Sequence, residues 1–204
     1  MTRVKGSPDR LDEAIADYEK SVAGPARSQP GFQGIALLVN RQTGEAISIT
    51  YWEDEAALRA SQQFADKARA ESTGRTGSQV ISTETAEIVD MQRTGPPRSK
   101  AYVRLNTVAG SPDKVDKAVD MYKSQVVPLL KQQRGFLAAI AGANRQTGKV
   151  VVSSVWDSEE NRQASEAAVA QLRRDTGEAA GDLNVKVEQF ESAFVDMPVN
   201  VAQS

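Results

Sequence analysis

Apolar residues recur at helical spacing in two places, Leu11–Ile15–Tyr18–Val22 and Val115–Val119–Tyr122–Val126. Steps of three and four residues put each set on one face of a helix. Each stripe follows "GSPD", where Ser7 or Ser111 can cap the helix and Pro8 or Pro112 fits its first turn. Pro128 should kink the second helix or open its final turn. Two β-rich runs come next, "FQGIALLV" and "EAISITYW", with "FLAAIAGA" and "KVVVSSVW" as their later counterparts. Between the runs stands "NRQTG", at 40–44 and again at 144–148, whose Gly44 and Gly148 would supply the positive φ of a short hairpin loop. After Trp52 and Trp156, Asp54 and Ser158 are expected N-caps of a second helix, which should run to about Arg69 in the first case. The acidic pairs Asp54–Glu55 and Glu159–Glu160 suit that first turn, where a carboxylate meets the positive end of the helix dipole. An alternating strand closes each series, "QVISTETAEIVDM" or "NVKVEQFESAFVDM".

These elements repeat at a constant offset of 104 residues, with 20 of 56 positions identical between 6–61 and 110–165. A gap-free match of that length marks a tandem duplication. Further on, "TG" at 73–74 and 176–177 and "VDM" at 89–91 and 195–197 suggest a drift of one or two residues, to be absorbed in loops. The strand "KAYVRLNTV" precedes the second "GSPD", so a complete copy reads β-α-β-β-α-β, the ferredoxin-like pattern of an α+β fold. At the same offset Met1 matches Leu105, and the first copy is expected to have a short, frayed first strand. The organisation expected is a first lobe over 1–92, a Pro-Pro linker over 93–99, and a second lobe over 100–204.

Net charge is −2 and the sequence pI is about 5.4, which leaves no basic field for a phosphate backbone, so nucleic acid is not an expected partner. No long apolar run predicts a membrane span, and "MTRVKGSPDR" lacks the apolar core of a secretory signal, so a cytoplasmic location is expected. Cys and His are both absent. Disulfides, thiolate nucleophiles, Ser-His-Asp triads, conventional zinc sites and His-ligated haem are thereby excluded. Neither a metal nor a cofactor is expected. Any proton transfer falls to carboxylates, Tyr, Lys or water.

"GFQGIALLVNRQTGEAISITYWEDEAALRAS" and "GFLAAIAGANRQTGKVVVSSVWDSEENRQAS" resemble the antibiotic biosynthesis monooxygenase (ABM) family of the dimeric α+β barrel superfamily. The likeness lies in the "GF" that opens one strand, the Trp-acid pair that closes the next, and the Ala/Ser-rich helix beyond. It implies two lobes packed as an intrachain dimeric barrel, with further homodimerisation possible. It also implies a small hydrophobic or aromatic ligand. Some members oxidise phenolic or quinone-like compounds without metal or flavin, because the deprotonated substrate itself reduces O2. Others form non-catalytic or stress-related barrels, which is the alternative reading. Carried over by resemblance, Trp52 and Trp156 are pocket residues whose N–H can hold a substrate oxygen; as plain core residues they need no such role. Some active relatives place an Asn four residues before this Trp, where Ser48 and Val152 stand. Ser can still donate a hydrogen bond and Val cannot, so the pocket is expected in the first lobe, lined by Tyr18, Phe32, Ser48 and Trp52, with the second lobe mainly structural. Tyr18 and Tyr122 point into a lobe cavity or simply pack in the core. Phe32 and Phe136 line the same region, and Phe64 against Ala168 would separate a filled lobe from an open one.

Overall fold

A computed structural model describes residues 1–182 and 185–197 of the chain. Two compact units emerge, and they do not follow the two sequence copies. The first unit holds 1–84, 97–100 and the chain from Glu191; the second holds Thr85–Pro96 and Ala101–Phe190.

In the first unit, strand β1 (Thr2–Lys5) leads through a 3-10 turn (Pro8–Arg10) into α1 (Leu11–Tyr18). The next turn, Glu19–Ala23, is π-helical, and α2 (Gly24–Ala26) follows. Then come β2 (Phe32–Asn40), β3 (Glu45–Trp52), α3 (Glu55–Ala60), α4 (Gln62–Thr76) and β4 (Gln79–Thr83). β4 pairs with β1, β1 with β3 and β3 with β2, all antiparallel, which is the ferredoxin-like order. A fifth strand, the end of β9 (Lys186–Asp196), runs antiparallel along the outer edge of β2.

The second unit repeats the plan with β6 (Tyr102–Ala109), α5 (Val115–Met121), a π turn (Tyr122–Val126), α6 (Val127–Gln132), β7 (Phe136–Asn144), β8 (Lys149–Trp156), α7 (Glu159–Ala164) and α8 (Glu166–Ala180). β6 pairs with β8 and β8 with β7. Its edge strand beside β7 is β5 (Glu87–Arg93), the tail of the first sequence copy. Each unit is thus closed by a strand belonging to the other repeat.

The single closing strand expected over 79–91 is therefore two strands. β4 ends at Thr83 and β5 starts at Glu87, each pairing in a different unit. The expected drift in register is absent as well. Gly77 and Gly181, both left-handed, end α4 and α8 at the 104-residue offset. Glu191, Phe194 and Val195 face Val39, Leu37 and Ala36, just as Glu87, Asp90 and Met91 face Ala143, Ala141 and Ile140. The two "VDM" and the two "TG" segments are not structural equivalents; both "TG" pairs lie inside helices.

Smaller departures have local causes. Ser7 and Ser111 are extended and make no capping bond, because each chain enters its helix through a 3-10 turn at the proline. Asp54 and Ser158 do cap, accepting from the N–H of Ala57 at 2.8 Å and Asn161 at 3.2 Å. The second helix of the first unit extends past Arg69 to Thr76. β1 is short, as expected, but paired on both sides along its 4 residues instead of frayed. The π turns precede Pro25 and Pro128: proline has no N–H to donate, and just before it the ladder steps to i−5, from Gly24 to Glu19 and from Val127 to Tyr122.

"NRQTG" is a structural turn in both copies. The Asn40 side chain accepts from the N–H groups of Gln42 and Thr43, each at 3.0 Å, and Asn144 does the same for Gln146 and Thr147. Gly44 and Gly148 sit at φ 72° and 77°, where an added Cβ would stand 2.3 Å and 2.1 Å from the carbonyl oxygens of Gly6 and Gly110. Arg41 reaches Asp12 and Glu191; Arg145 reaches Asp116 and Glu87. Each arginine ties its hairpin to the incoming edge strand.

Candidate functional site

The helix-facing side of each sheet has the same skeleton and different contents. Residues directly opposite on paired strands share a face. On β2 that face carries Ile35, Leu37 and Val39, all buried; on β7 the equivalents are Ala139, Ala141 and Ala143. The floor of the second unit is therefore lower by two or three carbons at three consecutive positions.

In the first unit Tyr18 stands over this face, fully inside. Its hydroxyl lies 2.7 Å from Ser48 Oγ and 3.4 Å from the carbonyl oxygen of Ala36. Its ring meets Phe194 edge-on at 6.2 Å. Burial pushes the phenol pKa upward, against the Ser48 hydrogen bond. Phe64 packs against the same core. Trp52 is half-buried, packs edge-on against Phe32 at 5.8 Å, and donates its indole N–H to Thr50 Oγ1 at 3.0 Å. The polar groups expected to receive a substrate here are already engaged, Tyr18 with Ser48 and the Trp52 N–H with Thr50.

The second unit differs around Tyr122, which is 2% exposed. The equivalent of Ser48 is Val152, which offers no hydrogen bond. Where the first unit has Phe194, β5 presents Asp90. The Asp90 carboxylate is close enough to act on the phenol, and burial first, then Asp90, raises the Tyr122 pKa. The pair nevertheless misses hydrogen-bond geometry, leaving the Tyr122 hydroxyl and Asp90 Oδ2 buried without a well-formed bond. The other carboxylate oxygen, Oδ1, accepts from Gln92 Nε2 at 2.9 Å, which fixes the rotamer. A third such atom is Oδ1 of Asn106. Asn106 faces Val152, Val152 faces Ala141 and Ala141 faces Asp90, so the four form one row across β6, β8, β7 and β5. Strand spacing puts the ends of that row roughly 14 Å apart at the backbone. Asn106 and Val152 are only partly buried as residues, although Oδ1 of Asn106 is enclosed.

Trp156 belongs to the wall of this region and is fully enclosed. Its N–H donates to Ser154 Oγ at 3.1 Å, Phe136 packs edge-on at 5.8 Å, and the Arg104 guanidinium lies 5.8 Å from the ring centroid. Arg104 is itself buried, donating to Ser165 Oγ at 3.0 Å and to the Arg162 carbonyl, with Glu166 3.2 Å from Nε. Burial lowers its pKa, opposed by Glu166. The structure thus separates the expected site residues. Tyr18, Ser48, Phe32 and Trp52 form a saturated cluster in the first unit, whereas Tyr122 heads an unsaturated one beside Phe136 and Trp156.

Asp90, Asn106 and the alanine row escaped the sequence reading. The signal was present in the constant offset, which sets Asp90 against Phe194 and Ala139, Ala141 and Ala143 against Ile35, Leu37 and Val39. The likeness of the two "VDM" segments masks the correspondence of Asp90 with Phe194.

Comparison with known proteins agrees with this fold. The family model for antibiotic biosynthesis monooxygenase matches residues 1–70. An uncharacterized protein of Mycobacterium tuberculosis is 32% identical over 183 residues, covering 86% of this chain and 80% of the relative. The crystal structure of an anthrone oxidase-like protein superposes with a TM-score of 0.67 at 14% identity, over 96% of this chain and 91% of the other. A candidate monooxygenase from Lactobacillus acidophilus gives a TM-score of 0.66 at 13% identity, over 96% and 95%. No helix among the described residues is long and apolar enough to cross a membrane. With this fold, the matching family model and a relative aligned over most of both lengths, the chain belongs to the antibiotic biosynthesis monooxygenase family.

Proposed function

We propose that the protein is a cofactor-independent monooxygenase acting on a small phenolic or anthrone-type compound, and that the reaction takes place on the helix-facing side of the second unit. The observation that carries this reading is the buried Tyr122 hydroxyl, left without a well-formed hydrogen bond above an alanine-lined strand. A buried polar group in that state is normally completed by a ligand or water. A flat apolar floor with polar groups at its ends suits a fused aromatic ring bearing oxygen substituents. The likeness to an anthrone oxidase-like protein supports the same substrate class.

Such a substrate supplies all the electrons. A ring CH2 and O2 become a ring C=O and water, one oxygen atom going to each product. The protein has to bind the ring, hold its oxygen as charge develops there, and handle protons. None of these tasks needs His or Cys.

The first unit is read as structural, since Tyr18 pairs with Ser48 and Phe194 fills the place of Asp90. The test is oxygen uptake with a panel of anthrones, quinols and polycyclic phenols. One O2 consumed per substrate, with one substrate bound per chain, is expected. Neither binding nor uptake above background across the panel would remove the reading.

A further inference from the structure

Resting on that reading, we infer that Asp90 is the proton acceptor of the reaction, a carboxylate that the tail of the first repeat delivers into the second unit. Four observations converge on this atom. Asp90 Oδ2 is buried, and the Tyr122 hydroxyl beside it interacts without reaching hydrogen-bond geometry, so the oxygen can still take a proton. Gln92 Nε2 holds Oδ1 at 2.9 Å and so fixes the direction in which Oδ2 points. The β-bulge between Ile88 and Asp90 sets this register, and Arg145 anchors the same strand through Glu87. The equivalent place in the first unit is occupied by Phe194, so the carboxylate is particular to one unit and is not a requirement of the strand.

The proton transfers balance. Oδ2 takes a proton from the acidic CH2 of the substrate, or from the O–H of its phenolic tautomer, and the bonding pair remains on the substrate. The carbanion or phenolate so formed reduces O2 and combines with it, giving a peroxide anion at the ring carbon. Asp90 returns its proton to that anion. Loss of the remaining ring hydrogen and the outer oxygen as water then leaves the ketone. Tyr122 and Asn106 are placed to hydrogen-bond the substrate oxygens while these changes occur.

The experiment compares wild type and Asp90→Asn with 1,8-dihydroxy-9-anthrone, following binding by fluorescence quenching and turnover by oxygen uptake between pH 6 and 9. A general base contributes roughly 10²–10⁴-fold. At neutral pH the variant should therefore lose about that much in kcat while its Kd stays within about threefold. Its rate should climb toward wild type as pH rises and the substrate ionises without help. Asp90→Ala should regain turnover with added formate, a diffusible carboxylate, which a merely structural defect would not do. A wild-type enzyme that turns over while Asp90→Asn matches it, or loses the same factor at every pH with no formate rescue of Asp90→Ala, would overturn the assignment of Asp90 and leave the monooxygenase reading intact. A wild-type protein that neither binds nor oxidises the probe would remove both.

Discussion

Replacing Tyr18 and Tyr122 separately with Phe should have effects of opposite kind, although the two residues occupy equivalent positions. Tyr18→Phe deletes a hydroxyl in a 2.7 Å contact with Ser48. A net hydrogen bond of this sort is worth about 0.5–1.5 kcal/mol, and the orphaned Ser48 hydroxyl is only half-buried, so a loss of about 1 kcal/mol is expected. Tyr122→Phe removes a hydroxyl that is buried without a well-formed bond. Leaving such a group unsatisfied costs about 1–3 kcal/mol, against which stands the lost influence of the neighbouring Asp90 carboxylate. Stability should be unchanged or higher by up to about 1 kcal/mol. For a chain of this size 1 kcal/mol moves Tm by about 2–4 °C, which calorimetry or thermal circular dichroism resolves. Anthrone binding should weaken in Tyr122→Phe and stay constant in Tyr18→Phe. If Tyr122→Phe destabilises as much as Tyr18→Phe, the hydroxyl of Tyr122 is already satisfied within the protein, and the argument for a ligand beneath it fails.

Four further outcomes are expected. Ala141→Leu restores the side chain that Leu37 supplies in the first unit; it should reduce probe binding at least tenfold while changing stability by no more than about 1 kcal/mol, as measured by titration and urea unfolding. Gly148→Ala places a Cβ 2.1 Å from the Gly110 carbonyl oxygen at a φ of 77°, and should cost more than about 1 kcal/mol in the same unfolding assay. Both buried tyrosines have pKa values above the ordinary 10.0, so the unfolded chain releases their protons first; stability should be retained below pH 10 and fall above it, and the double Phe variant should show a shallower alkaline decline. Asp17 is held below its usual 3.8 mainly by its hydrogen bond from Arg75, so its contribution is present above that pH and disappears as pH falls further; the Tm gap between wild type and Asp17→Asn should close on acidification.

Much of the fold was legible because two copies constrained each other. The helical stripes ending in Tyr18 and Tyr122, the hairpins around Gly44 and Gly148, and the caps at Asp54 and Ser158 are local features with local causes. The division of 79–93 into two strands is not. Neither proline nor glycine marks a break between Thr83 and Glu87, and only long-range pairing decides which sheet receives each half. The site divided in the same way. Tyr122 and Trp156 were visible as residues, but whether a hydroxyl is satisfied depends on what the neighbouring strands present. That meant recognising that Ser48 becomes Val152 while Phe194 becomes Asp90. The first change is local; the second lies on a strand contributed by the other repeat.

That contribution makes the duplication difficult to undo. A fragment that starts at residue 100 carries Tyr122, Trp156 and the alanine floor, but leaves behind Asp90, Gln92 and the anchor Glu87. A fragment that stops at residue 92 likewise lacks Glu191 and Phe194, which finish its own sheet. Neither repeat could be lost by deletion without stripping an edge strand from the one retained. Inheritance is crossed as well: a mutation between 87 and 93 is recorded in the first repeat and expressed in the sheet of the second unit.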